Sequence, residues 1–352
     1  MHRRGGAPLA ALGLAAATAA LLAVSPAGAA STGRGVRHVA VPTGARAVST
    51  SHADHVIGHG TPAGCTSSKV VAAVRAGGVI RFACGPKPVT IRMRATAKVS
   101  NTSRRVVLDG GGLVTLSGEG RRRILYMDTC DQAQTWTTSH CQDQAEPHLI
   151  VQNLNFVDGN STGQRFDGGG GGAIFDRGGR MRIVNSKFAG NRCESEGPDL
   201  GGGAVRALSQ YHGLPVYVTG SRFAHNVCSN GGALSSIGVS WTVLNSLFEG
   251  NRAIGHGANP ARTGTPGGGS GGAIYNDGDR MKLTVAGSLL DQNHAREGGG
   301  AIFYVSNDRT GTMAISHSTL DANPNDGFHT AGFPGIFFLG HGRPLVAHSS
   351  IR

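Results

Sequence analysis

At 352 residues, the chain has 57 glycines, about 16% against a usual ~7%, yet keeps enough apolar residues to exclude a disordered polymer. The glycines follow no Gly-X-Y period, which excludes collagen, and they recur beside short apolar runs, which argues against a free linker. A formal charge of +12 favours anionic partners, but no basic run with interleaved aromatics suggests a nucleic-acid module.

Residues 1–30 read as an export signal: Arg3 and Arg4 lead, Leu9 to Val24 is an Ala/Leu-rich apolar run, and Ala27-Gly28-Ala29 offers a cleavage site. The run is shorter than the roughly 20 apolar residues of a membrane span. The chain is therefore expected to be secreted, with no transmembrane segment after signal removal and a charge of +10, since Arg3 and Arg4 are the only charged residues lost. Residues 31–63 show no sustained apolar period and read as a flexible leader, followed by one domain over 64–352. Thr66 can cap a short helix over 67–76, with Val70, Val71 and Val74 on one side and Gly77-Gly78 ending it.

Short Val- and Ile-rich runs follow, among them Val89 to Ile91, Val106 to Leu108 and Val114 to Leu116. After Leu149 an apolar anchor returns at Phe156, Phe188, Phe223, Phe248, Leu290, Leu320 and Ile351, spaced 25 to 42 residues apart. Five positions before each anchor stand Val151, Ile183, Val218, Val243, Val285, Ile315 and Val346. Seven before stand Leu149, Met181, Val216, Trp241, Leu283, Met313 and the exception Pro344. This period of two marks strands buried on one face. Asn191, Asn226, Asn251, Asn293 and Asn323 lie three residues beyond their anchors, and a second strand opens at Ala173-Ile174, Ala204-Val205, Ala233-Leu234, Ala273-Ile274 and Ala301-Ile302.

One such unit cannot bury its apolar face alone, so copies stack like strand on like. The expected fold is all-β, a right-handed parallel β-helix with a short N-terminal capping helix, the hand being that of parallel crossovers in general. The six cysteines suit three disulfides, and none shows the C-x-x-C spacing of a zinc site. Cys193 and Cys228 each follow their repeat's asparagine by two residues, so stacking would bring them about 4.8 Å apart, within bridging reach. Cys65 with Cys84 would clamp the helix, and Cys130 with Cys141 would close one loop.

The pairing of Gly172-Ala173-Ile174 with Phe188-Ala189-Gly190-Asn191 resembles the polymorphic outer-membrane-protein repeat and the wider pectate-lyase-like β-helix superfamily. The resemblance covers residues 149–352, and Leu108-Asp109-Gly110-Gly111-Gly112 looks like part of the first coils. It implies polysaccharide lyases, glycoside hydrolases and esterases on one hand and non-catalytic adhesins on the other, since the fold does not give the function.

Two functions follow as expectations. The first is a secreted binding protein or surface adhesin that holds extracellular, anionic polysaccharide. The second is a polysaccharide lyase acting by β-elimination, which needs cations against a carboxylate and a base. Arg182, Lys187, Tyr217 and Arg222 are its candidates, outward-facing if the strand alternation holds. Asp158, Asp167, Glu194, Glu196 and Asp199, in connections of neighbouring coils, are candidate ligands for Ca2+. Phe175, Tyr275 and Phe303 form either a sugar-stacking platform or part of the core, because short strands leave the parity undecided. The last repeat stops at Ile351-Arg352 without an amphipathic cap, so either self-association through the C-terminal coil or a missing segment is a further expectation.

Overall fold

The computed structural model describes residues 37–135, 137–164, 169–257 and 263–352. The export signal expected over 1–30 and the first residues of the expected leader lie outside them. Among the described residues no helix is long and apolar enough to cross a membrane.

The chain winds as a parallel β-solenoid built of a 17-stranded, an 8-stranded and a 3-stranded sheet. Each full coil gives the long sheet two strands, such as Val216–Thr219 and Arg222–Ala224, and gives the second sheet one, such as Val205–Leu208. The pairing has the register implied by the repeat: Leu149 lies beside Met181, Val216 beside Trp241, and Trp241 beside Leu283. Val151, Ile183, Val218, Val243 and Val285 form a second fully buried column. The anchors stack directly, with ring centroids 5.0, 4.7 and 4.8 Å apart from Phe156 through Phe188 and Phe223 to Phe248.

Polar ladders bind the coils where the chain turns. Asn226 Nδ2 donates to Asn251 Oδ1 at 2.9 Å, and Asn251 Nδ2 donates to Asn293 Oδ1 at 2.8 Å; the row extends from Asn191 to Asn323. A second ladder runs at the other corner, where the backbone N–H of Ser186 donates to Ser221 Oγ, Ser221 to Ser246, Ser246 to Ser288 and Ser288 to Ser318. Each of these hydroxyls turns back to a carbonyl two residues earlier, as Ser246 Oγ does to Leu244. Serine at two places before the anchor recurs in six of the repeats and is readable in the sequence. Gly-Gly-Ala has a steric cause. At Gly232 a Cβ would collide with the Gly272 carbonyl of the neighbouring coil, and Ala233 beside it is fully buried.

Helix Ser67–Ala76 closes one end, with Val70 and Val74 buried against Ile80 and Met93 and Thr66 accepting from the Lys69 N–H. The disulfides are Cys65–Cys84, Cys130–Cys141 and Cys193–Cys228, the last with Cα atoms 4.8 Å apart. At the opposite end Leu345 and Val346 are exposed.

The leader expected over 31–63 needs correction in its described part. His55–Ile57 pairs in parallel with Gly78–Phe82 as the first strand of the long sheet. Before it, residues 37–54 lie across the outer face of that sheet as a strap. The Val39 N–H and C=O both bond the side-chain amide of Asn245, at 2.8 and 2.9 Å, and those of Val48 bond the amide of Gln152, at 2.9 Å each. Beneath it are two apolar patches: Leu244 and Ala286 with Val39, Val41, Ala45 and Tyr217, and Val79, Val107 and Ile150 with Val48 and Ala53.

Candidate functional site

The inward columns carry the core, so chemistry with an outside partner falls to the outward positions of the long sheet and the connections at its edge. One outward column begins Arg105, His148, Arg180, in register on consecutive coils about 4.8 Å apart. Arg105 makes no salt bridge among the described residues, and Arg180 donates its Nε–H to the neutral Ala145 carbonyl at 2.8 Å. The acid beside them, Glu146, pairs with Arg104 at 3.4 Å. Together these groups line a cavity of about 570 Å3. Burial pushes the His148 imidazole down to about 4, helped by the positive charges of Arg180, Arg182 and Arg105. It is therefore neutral at pH 7 and free to donate or accept a hydrogen bond.

The same column continues through Pro215, Ser240 and Lys282, and there the edge connections shape a second cleft. The connections at 238–240 and 279–281 are short, while 209–215 and 307–311 flank them and are longer. The resulting cavity of about 650 Å3 has hydroxyls from Ser240, Thr242, Thr284 and Thr310 and cations from Arg280 and Lys282. Connection 209–215 is tied to 129–147 by the His212 N–H, which donates to Asp143 Oδ1, and by Ser209 Oγ, which donates to Gln142. The two cavities thus follow one another along the column at the edge of the long sheet, with Arg180 lining the first and Pro215 the second.

The four lyase candidates do not share one constellation. Arg182 and Tyr217 are neighbours in register on one arm of the long sheet, as expected, and Lys187 and Arg222 are neighbours on the other arm. Arg182 donates to the strap carbonyl of Arg46 at 2.7 Å, and Tyr217 packs under Ala45. Arg222 is neutralised by Glu249 at 2.7 Å, and Lys187 is exposed.

The aromatic candidates face away from the core but are covered. Phe175 is 1% exposed, Tyr275 6% and Phe303 2%. Arg123 lies over Phe175, Tyr275 stacks on Phe303 at 5.0 Å, and Phe328 meets Phe303 edge-on. They form an outer packed column, with buried Arg206 bonded to Ser235 and to the Asp199 carbonyl, and they present no open face for a sugar.

Of the calcium candidates, Asp167 lies outside the described residues. Glu194 is buried and accepts from the Gly163 N–H, while Asp158, Glu196 and Asp199 are exposed. Among the described residues no group of three or more His, Cys, Asp or Glu side chains converges on a metal position.

With this geometry in hand, comparison with known families finds one match, the Chlamydia polymorphic membrane protein (Chlamydia_PMP) repeat, over residues 245–277. That stretch contains Phe248-Glu249-Gly250-Asn251 and Gly271-Gly272-Ala273-Ile274, the two halves of the repeat that build the ladder and the second sheet. No curated protein and no solved structure matches the chain.

Proposed function

We propose that this chain is a secreted β-helix protein that binds anionic polysaccharide at the cell exterior, through a groove formed by the two cavities along the column from Arg105 to Lys282. The observation that carries the reading is the column Arg105, His148, Arg180, three nitrogen-bearing side chains stacked at coil spacing without a paired acid. Arg105 and Arg180, on either side of the neutral His148, repel one another, and carboxylates or sulfates spaced along a polymer would relieve the repulsion while His148 offers a hydrogen bond. Arg280 and Lys282 extend the same polarity toward the second cleft, whose hydroxyls suit sugar oxygens. Three disulfides and the surface-protein repeat are in keeping with an extracellular setting. Membership of the pectate-lyase-like superfamily is part of this proposal, and binding is favoured over β-elimination because the lyase candidates are divided between two arms of the sheet, with Arg182 covered and Arg222 paired.

The test is calorimetry with oligogalacturonate, alginate and heparin oligosaccharides at low and moderate salt, with neutral dextran as control. Binding that weakens with salt and falls about tenfold or more in Arg105→Ala with Arg180→Ala supports the reading. Equal affinity for dextran, or indifference to the double substitution, overturns it. Release of unsaturated chain ends from any of these polymers would put a lyase in its place.

A further inference from the structure

The Arg182 guanidinium sits one residue pair away from the cationic column yet is committed to a neutral partner. Its Nη1–H donates to the Arg46 carbonyl of the strap at 2.7 Å, and its Nε is buried without a hydrogen-bond partner. Arg180 precedes it by two residues on the same strand and His148 lies beside Arg180 on the preceding coil, while the Arg46 side chain turns back within the strap, its Nε–H donating to the Val41 carbonyl. No anion balances this set among the described residues.

The strap is held unevenly. The Asn245 clamp at Val39 and the Gln152 clamp at Val48 are each two-bonded, and Thr50 Oγ1 adds a bond to Asp109. Between the clamps, residues 40–47 contain a 3-10 turn at Thr43–Ala45 and meet the sheet chiefly through the bond from Arg182 and the packing of Ala45 on Tyr217, Leu244 and Ala286. Such a span can rise with both clamps closed.

We propose that residues 40–47 are a liftable cover over Arg182, and that an acidic sugar chain entering the groove displaces the Arg46 carbonyl and takes the guanidinium as a further anion contact. The inference rests on the groove reading above and concerns its regulation. A carboxylate or sulfate is a stronger acceptor for a guanidinium than a peptide carbonyl. The ligand therefore binds the lifted state more tightly than the closed one, which is what shifts the population.

Hydrogen exchange of the full chain, with and without saturating heparin octasaccharide or oligogalacturonate, reads the cover directly. Exchange of the Ala45 and Arg46 amides, which close the turn of the span, is expected to rise about fivefold or more on binding while Val39 and Val48 stay protected, and Arg182→Gln is expected to weaken binding about fivefold. Ala45→Trp, too large for its buried position, holds the span up and is expected to tighten binding, with an unchanged melting temperature as its folding control. If the sugars bind and depend on Arg105 and Arg180, but exchange at Ala45 and Arg46 and the affinity of Arg182→Gln do not change, the cover is refuted and the groove stands. Binding seen only in Ala45→Trp supports a closed gate. Binding in neither the wild type nor Ala45→Trp refutes both.

Discussion

His148 offers a measurement of the groove without any ligand. In the unfolded chain its imidazole titrates near the ordinary 6.5, whereas in the folded protein burial and three neighbouring arginines lower it to about 4. Above pH 6.5 both states are neutral there and the residue is indifferent to pH. Between 6.5 and 4 the unfolded state binds the proton first, so stability falls as the pH falls, and below about 4 the loss is complete. At 1.36 kcal/mol per unit the full difference is roughly 3 kcal/mol; because the ring is partly exposed, screening reduces the expectation to about 1–2 kcal/mol. His148→Gln removes the titration but keeps a polar group of similar reach. Urea unfolding at pH 7.5 and 4.5 should therefore show the wild type losing about 1–2 kcal/mol more than the variant. High salt should shrink the gap, since part of it is repulsion from Arg105 and Arg180. A gap that is the same at both pH values would mean that the ring is neither buried nor beside the arginines, and a gap that does not respond to salt would leave burial as its sole cause, so that the cationic column would lose its basis.

Asn251→Ala in the middle of the amide row strips partners from the Asn226 N–H and amide and from the Phe223 carbonyl, so unfolding should become easier by about 3–5 kcal/mol. Asn323→Ala, at the end of the row, should cost about half as much by the same measurement. Asp109 lies at the root of the strap: burial raises its pKa, but bonds from Asn153, Gln152, the Gly111 N–H and Thr50 outweigh that and leave it below the ordinary value. Its contribution is full above about pH 4 and disappears as the pH falls through its lowered folded value, and Asp109→Asn should speed hydrogen exchange at residues 48–50 and cost about 1–3 kcal/mol at neutral pH. Replacing Cys193 and Cys228 together by serine opens a bridge between residues 35 apart, for which chain entropy gives a loss of about 2–4 kcal/mol in chemical unfolding. Peptide mapping of the native chain should find 193 joined to 228.

What could be read in the sequence follows the division between inside and outside. Each inward residue must meet its like on the next coil, so Val151, Ile183 and Val218 repeat, and the asparagines and Cys193 with Cys228 fix the register independently. Outward residues meet no such demand. Arg105, His148 and Arg180 fall in one column only after the spacing of the early coils is known, and coils of unequal length conceal it. The strap escaped for a different reason. Val39, Val41, Ala45 and Val48 have no strand or helix period because side-chain amides hold their backbone, and Asn245 stands 206 residues away in sequence. Phe175, Tyr275 and Phe303 show the limit of alternation: they do face outward, but neighbouring residues such as Arg123 and Phe328 close over them. Outward and accessible are separate properties in a solenoid.

That separation also explains why the groove can carry so much unpaired charge. A buried column admits a polar member only where the structure supplies its partners, as Ser235 and the Asp199 carbonyl do for Arg206. An outward cation costs only its repulsion from the next cation, a small and salt-screened quantity, and the ladders beneath hold the coils at fixed spacing whatever stands on top. The inward columns thus set a rigid pitch, and the outer face can place charges at that pitch without endangering the fold. An acidic polymer long enough to cross the uncharged His148, Pro215 and Ser240 positions would meet Arg105, Arg180 and Lys282 together, so affinity would grow with ligand length until that column is spanned and then level off.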